Sequence, residues 1–377
     1  MKTAIEVILK LKASGFDAYL VGGAVRDFLL GKNPKDFDVA TSAEPVQVKE
    51  IFKRTVDTGI QHGTVLVLMN GSGVEVTTFR TEGNYTDNRR PDSVEFVKSL
   101  EEDLKRRDFT INAMAMTEDL ELVDLFGGQK DLERKLIKAV GQPDERFQED
   151  ALRMLRAIRF SGQLNFSIEE QTLAAITNNA ALIQMIAVER IKIELDKILA
   201  NQHARRSIAY MNQSSLTDYL PSGGLFRTDW KNFKPTGDPL SGWLYALWWN
   251  RKEVPALAGF KLSNEEKKTL GKALEAAAIE EWNQWTFYRF TLRQLELAAA
   301  LTGRGGDPAR QKSGLPIQTQ SDLAVDGRDL MDWSGKKAGP WLKELLEEIE
   351  RKVIFNELEN KKENIKEWFL SEYNGNE

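Results

Sequence analysis

The sequence predicts an α+β protein: an N-terminal α/β head with a mixed β-sheet, followed by an all-helical neck, body and tail. Strand-like runs rich in β-branched residues stop near residue 125. From about Asp144 onward, apolar residues recur at helical spacing to the C-terminus. The 377 residues exceed what one small core needs and suit roughly two to four domains. The expected divisions are a head over 1–143, a neck over 144–200, a body over 201–300 and a tail over 301–377.

Each element follows from its own pattern. The opening "MKTAIEVILKLKASGF" mixes lysine and glutamate into an apolar repeat, which predicts an amphipathic helix and not a signal peptide. "AYLVGG", "DFDVAT", "TVLVLM", "VEVTTF" and "VEFV" read as strands, alternating with helix-like segments such as "EPVQVKEIFKR". "NGSG" at Asn70 to Gly73 predicts a hairpin connection. Beyond Asp144, "DALRMLRAIRFSGQLNFSIEEQTLAAI" and "VERIKIELDKILA" carry helical patterns. Punctuation falls at "PSGG", "KPTGDP", "TGRGGDPARQKSGLP" and "KKAGP". The aromatic stretch "DWKNFKPTGDPLSGWLYALWW" is expected to pack in cores rather than stack on bases.

Composition bounds the function classes. Hydrophobic residues at 41% and charged residues at 29% are ordinary for a globular protein. The absence of cysteine excludes disulfides and cysteine zinc sites. No window approaches eighteen uninterrupted apolar residues, so no membrane span is expected, and a cytoplasmic location is. A net charge of −5 argues at face value against nucleic acid as a partner. A local basic stripe is nevertheless enough to bind phosphates, and "KRR", "ARR" and "KK" supply local runs.

Asp36 and Asp38 in "KDFDVA" alternate so that both are expected on one strand face, with Phe37 on the other. Such a pair is costly unless a divalent cation neutralises it, and oxygen-only ligands suit Mg²⁺. Glu75 in "VEVTTF" is a candidate third carboxylate, with Thr77 on the same face. The alternative is a strand end with solvated acids. "LVGGAVRDFLLG" reads as strand, glycine turn and a helix starting near Ala24. Gly22 and Gly23 would let the backbone approach an anion at the helix N-terminus, and Arg26 would add a forked contact to phosphate. Followed at short range by Asp-x-Asp, the set reads as a nucleoside triphosphate held on Mg²⁺.

"GGAVRDFLLGKNPKDFDVAT" resembles the nucleotidyltransferase signature of the DNA polymerase β superfamily. In this extended form it resembles the class II CCA-adding tRNA nucleotidyltransferases and the bacterial poly(A) polymerases. Later motifs of that family follow in order. "RRDFTINAMAM" is similar to its ribose-contacting motif, "DLFGGQKDL" to its linker, "EDALRMLRAIRF" to its base-reading motif and "VERIKIEL" to its helix-stabilising motif. "LPIQTQSDLAVDGRDLM" and "ENKKENIKEWF" resemble the Bacillus-type CCA-adding enzymes. The resemblance implies tRNA as partner, CTP and ATP as substrates, and two Mg²⁺ held by Asp36 and Asp38. A homodimer stays open. In the implied chemistry the tRNA 3′-hydroxyl attacks the α-phosphate in line and pyrophosphate leaves. His62 and His203 are the only histidines, and neither lies in these motifs, so histidine acid–base chemistry is not expected.

The base-reading motif has a chemical logic. If helical, Asp150 and Arg153 are three residues apart and share a face. Asp offers only acceptors and Arg only donors. Cytosine and adenine both present an amino donor beside a ring-nitrogen acceptor, whereas uracil and guanine present an acceptor beside a ring N–H. One Asp–Arg pair therefore accepts C and A and rejects U and G. Arg156 and Arg159 continue the spacing toward a triphosphate. The alternative is that Glu149, Asp150 and these arginines form surface ion pairs. Arg107, Asp108 and Asn112 suit a ribose and its 2′-hydroxyl; the resemblance assigns Arg107 to nucleotide contact, and Asp108 also suits a helix N-cap. The resemblance implies that the polar stretch between Glu82 and Leu100 is a family loop whose presence favours addition of the final A; the alternative is an ordinary long surface loop. Lys192, His203, Arg205 and Arg206, with Lys361, Lys362 and Lys366 in the tail, are candidate tRNA contacts. Competing readings are a poly(A) polymerase, a CC-only or A-only enzyme, and a non-catalytic RNA-binding relic, against which the intact acids argue.

Overall fold

Short β-branched runs in the first 123 residues pair into a seven-stranded sheet. In this computed structural model, which describes residues 1–34, 36–59, 63–82 and 94–372, the strands are β1 (Ala18–Val21), β2 (Asp38–Thr41), β3 (Thr55–Gly59), β4 (Thr64–Met69) and β5 (Ser72–Thr78). A separate ribbon pairs β6 (Arg80–Glu82) with β7 (Val94–Phe96), and β8 (Ala115–Met116) and β9 (Leu122–Val123) complete the sheet. Its order is β3-β4-β5-β2-β1-β8-β9. β2 runs parallel to β5, whereas β1 is antiparallel to β2 and to β8, so the sheet is mixed, as expected. The "NGSG" hairpin forms between β4 and β5, with Asn70 at φ 51° and Gly71 at φ 74°. Two successive left-handed residues match the twist of a tight hairpin.

α1 (Lys2–Ala13) buries Ala4, Val7, Ile8 and Leu11, the single apolar stripe its sequence implies. α2 (Gly23–Leu29), α3 (Pro45–Ile51) and α4 (Leu100–Lys105) follow the sheet connections. Val21, Ala40, Phe79, Leu104 and Ala115 form one core cluster of the head. Next come α5 (Gly128–Glu133), β10 (Leu136–Ile137), α6 (Pro143–Glu149), α7 (Leu152–Leu164) and β11 (Ser167–Ile168), which pairs in parallel with β10. α8 (Glu170–Asn179), α9 (Val188–Leu199) and α10 (Ala204–Gln213) are helical thereafter, and α7 packs against α9 and α10. Beyond β11 the described residues contain no further strand.

The chain divides into two compact units, Met1–Pro235 with Gly259–Lys261, and Thr236–Ala258 with Leu262–Glu377. The second comprises α11 (Pro239–Trp249), α12 (Asn264–Ala278), α13 (Gln284–Arg289), α14 (Leu292–Thr302), α15 (Pro308–Ser313), α16 (Gly327–Ser334), α17 (Pro340–Ile354) and α18 (Lys362–Glu372). Ser263 with Glu266, Thr291 with Gln294 and Asp326 with Asp329 form capping boxes that start α12, α14 and α16. The aromatic stretch mostly packs inside: Trp230 and Phe233 are buried in the first unit, Trp243 and Tyr245 in the second, while Trp249 is exposed. No helix among the described residues is long and apolar enough to cross a membrane.

Candidate active site

The turn from β1 into α2 needs glycine for two separate reasons. Gly22 has φ +71° and ψ −135°, outside the regions open to other residues. A Cβ there would also lie 3.0 Å from Arg107 Nη1. The helix starts at Gly23, one residue before the expected Ala24. Arg26 is buried and braced: Nη1 donates to Asn112 Oδ1 at 2.6 Å and Nε to Asp27 Oδ1 at 2.9 Å.

Strand register sets the acids. Val21 pairs with Asp38 across β1 and β2, and Asp38 pairs with Glu75 across β2 and β5. β2 begins at Asp38, so Asp36 lies just ahead of the strand and not inside it. Both nevertheless line the same cleft. Burial and the Glu75 charge push the Asp38 carboxyl up; Arg107 opposes them, and Asp36 adds to the rise. Crowded oxygen donors with unrelieved negative charge fit a hard divalent cation. Among the described residues no group of three or more His, Cys, Asp or Glu side chains is arranged to hold an ion. Glu75, exposed on β5 beside Asp38, acts on it by charge but does not line the cleft, whereas Asp36 and Asp38 do.

Beside the acids lies a braced set of arginines. Asp103, 1% exposed on α4, accepts Arg106 Nη2 at 2.7 Å and Arg107 Nη2 at 3.0 Å. Burial alone would raise the Asp103 carboxyl, but Arg107 and Arg106 hold it below the ordinary range. Burial, the largest single influence, would likewise raise Asp108, but the charges and hydrogen bonds of Arg156, Asn112 and Arg153 together hold it below the ordinary range. It accepts Arg156 Nη2 at 2.6 Å, Asn112 Nδ2 at 3.1 Å and the Phe109 amide at 2.9 Å. Asp108 is therefore a clamp between α7 and the 3-10 turn Thr110–Asn112, which Phe109 and not Asp108 precedes as cap residue. The turn is fixed from behind by Thr110 Oγ1 donating to Asp131 Oδ2 at 2.6 Å.

The base-reading pair departs from its expected geometry. α6 ends at Glu149 and α7 starts at Leu152, leaving Asp150 in an extended link at φ −140°, ψ 102°. Asp150 and Arg153 are thus not neighbours on one helix. Asp150 Oδ1 accepts the Leu152 amide at 3.0 Å, and Oδ2 accepts Arg190 Nη2 at 2.8 Å. Arg153 Nη1 donates to Glu149 Oε2 at 2.5 Å, one of the ion pairs the alternative foresaw, and Nη2 donates to the Arg106 carbonyl at 3.1 Å. On α7, Arg156 reaches Asp108, and Arg159 Nε donates to Glu194 Oε2 at 2.5 Å.

A cleft of about 770 Å³ gathers these groups. Its lining includes Gly22, Gly23, Arg26, Asp36, Asp38, Arg107, Asp108, Asn112, Asp150, Arg153, Arg156 and Arg159. Arg106, Phe160 and Gln163 also line it, and sequence spacing had not singled them out. Arg190 was missed too; its signal was the "VERIKIEL" motif that contains it.

None of the candidate tRNA contacts lines the cleft. Lys192 pairs with Asp196 at 2.8 Å, Arg205 donates to the Lys231 carbonyl and Arg206 to the Phe166 carbonyl. His203 is half-buried at the start of α10. In the second unit Lys361 pairs with Glu359 and Lys362 with Asp329, and Lys366 lies 5.7 Å from the Trp333 ring. His62 and residues 83–93 of the loop after Glu82 lie outside the described residues.

Residues 18–138 match the family described as "Poly A polymerase head domain", 165–223 "Probable RNA and SrmB- binding site of polymerase A", and 244–369 the tRNA nucleotidyltransferase domain 2. Over 394 residues the chain is 44% identical to the CCA-adding enzyme of Geobacillus kaustophilus, covering 97% of this chain and 96% of that one. The chain belongs to the CCA-adding enzyme family. The Listeria innocua CCA-adding enzyme is 42% identical, with 97% of each chain covered. The crystal structure of the Bacillus stearothermophilus CCA-adding enzyme in complex with CTP superimposes with a TM-score of 0.87 at 40% identity, covering 99% of this chain and 98% of that one. As a member of the CCA-adding enzyme family the chain is a nucleotidyltransferase, a class that works with a divalent metal ion.

Proposed function

We propose that this protein builds and repairs the 3′-terminal CCA of tRNA from CTP and ATP without a nucleic-acid template. The observation that carries the reading is that one cleft holds both the acid pair and the Asp150–Arg153 set. The similar Bacillus stearothermophilus enzyme was crystallised with CTP. On this reading the head (1–143) performs transfer and the neck (144–200) chooses the base.

Asp150, in its link, keeps acceptor capacity beyond its two bonds, because a carboxylate offers about four lone-pair sites. It accepts the amino group of cytosine or adenine while Arg153, steadied by Glu149, donates to the ring nitrogen. Uracil and guanine would leave both side chains mispaired in a half-buried site, which makes rejection strong. On this reading Asn112, held in place by Asp108 and Arg26, meets the ribose, and Arg107, paired with Asp103 and close enough to act on Asp38, meets phosphate. Two Mg²⁺ at Asp36 and Asp38 would supply activation of the tRNA hydroxyl and neutralisation of the leaving pyrophosphate.

The test is incorporation. With Mg²⁺ and a tRNA lacking its 3′ end, the purified protein should add C, C and A and then halt. Unlimited A tails from ATP alone, or no addition, would overturn the reading.

A further inference from the structure

Three arginines of the cleft, from two different elements, converge on one aromatic ring. The Cζ atom of Arg159 lies 3.9 Å from the Phe160 ring centroid, that of Arg26 at 5.3 Å and that of Arg156 at 5.5 Å. The ring is 4% exposed and is held edge-on by Phe109 at 5.8 Å. Three like charges around one point repel, and something must offset that repulsion. Acids and amides do part of it: Asp27 and Asn112 brace Arg26, Asp108 braces Arg156, and Glu194 with Gln163 braces Arg159. These braces leave Arg156 Nη1 and Arg159 Nη2 without a protein partner among the described residues.

A fourth carboxylate at the centre would hold the guanidiniums together but would cancel their charge and repel an anion. An aromatic face attracts cations through its quadrupole while adding no net charge. We infer that Phe160 is a positioning residue whose π face gathers Arg26, Arg156 and Arg159 into one array for the triphosphate of the incoming nucleotide. The inference rests on the CCA-addition reading and adds the element that keeps the array both assembled and positive. A residue that only filled space would depend on volume; this one depends on electron density in the ring.

The test replaces Phe160 with mono-, di- and trifluorophenylalanine, which deplete the quadrupole at nearly constant shape, and measures KM and kcat for CTP and ATP. KM should climb with each fluorine to about tenfold at three, the range of a desolvated cation–π contact. The kcat should stay within about twofold, since a KM rise alone marks lost uniform binding. Phe160→Leu should raise KM at least as far, and Phe160→Tyr should restore it. A flat KM across the fluorinated series, with CCA addition by the unsubstituted enzyme intact, would overturn the inference. Failure of the unsubstituted enzyme to add CCA would overturn the function reading instead.

Discussion

Replacing Asp103 by asparagine removes one negative charge from a site that is 1% exposed and braces two cleft arginines. Its two oxygens take three charge-assisted bonds, from Arg106 Nε at 3.1 Å, Arg106 Nη2 at 2.7 Å and Arg107 Nη2 at 3.0 Å. Asparagine keeps one acceptor and turns an N–H₂ toward a guanidinium, leaving a partly buried cation without its counter-charge. Breaking such a pair from one side costs about 3–5 kcal/mol. In a unit of this size each kcal/mol shifts the midpoint by about 2–4 °C, so Asp103→Asn should melt roughly 6–20 °C lower. The control is Asp57→Asn, which breaks the exposed Lys49–Asp57 pair at 3.0 Å and should cost about 0–1 kcal/mol. Scanning calorimetry with both variants reads the contrast. Because the folded Asp103 carboxyl lies below its ordinary range, its stabilisation is complete above the unfolded value of about 3.9 and fades as pH falls through the folded value. The gap between wild type and Asp103→Asn should therefore narrow on acidification below about pH 4. Equal melting of the Asp103 and Asp57 variants at neutral pH would refute the reasoning.

Other outcomes follow from the same geometry. Asp38→Ala should lower kcat by about a thousandfold while tRNA binding, measured by filter retention, stays near wild type. Full activity in that variant would contradict the metal assignment. Chelation by EDTA should stop wild-type transfer and added Mg²⁺ should restore it; transfer that persists in EDTA counts against a divalent ion. Gly22→Ala combines φ +71° with a Cβ only 3.0 Å from Arg107 Nη1 and should destabilise by about 1–3 kcal/mol, read from a urea midpoint that ought not to stay put. Arg190→Ala frees Asp150 of its 2.8 Å partner. It should raise UTP misincorporation relative to CTP by about tenfold with little change in stability, and unchanged selectivity would exclude Arg190 from base choice.

Local signals were legible and long-range pairings were not. β-branched runs located β1, β2, β4 and β5 of the sheet and β7 of the ribbon, but not β3, β8 or β9, and "NGSG" located the hairpin, because these signals rest on backbone preferences. Gly22 was legible as a turn residue because a glycine pair between a strand-like and a helix-like run marks a tight turn, and the turn indeed holds Gly22 at φ +71°. Asp150 was misplaced because spacing of three suggests one helix. An Asp directly ahead of an apolar helical run is equally a start signal, and Asp150 does accept the Leu152 amide. Arg190, 40 residues from Asp150, and Arg156, 48 from Asp108, meet acids that no local pattern names. Phe160 reads in sequence as one more apolar helix residue; only the fold brings Arg26 to its face.

Crystals soaked with CTP and Mg²⁺ test the account most directly. Density for cytosine against Asp150 and Arg153, with metal at Asp36 and Asp38, is the expected result. A nucleotide bound elsewhere, with no ion beside those two aspartates, would contradict it.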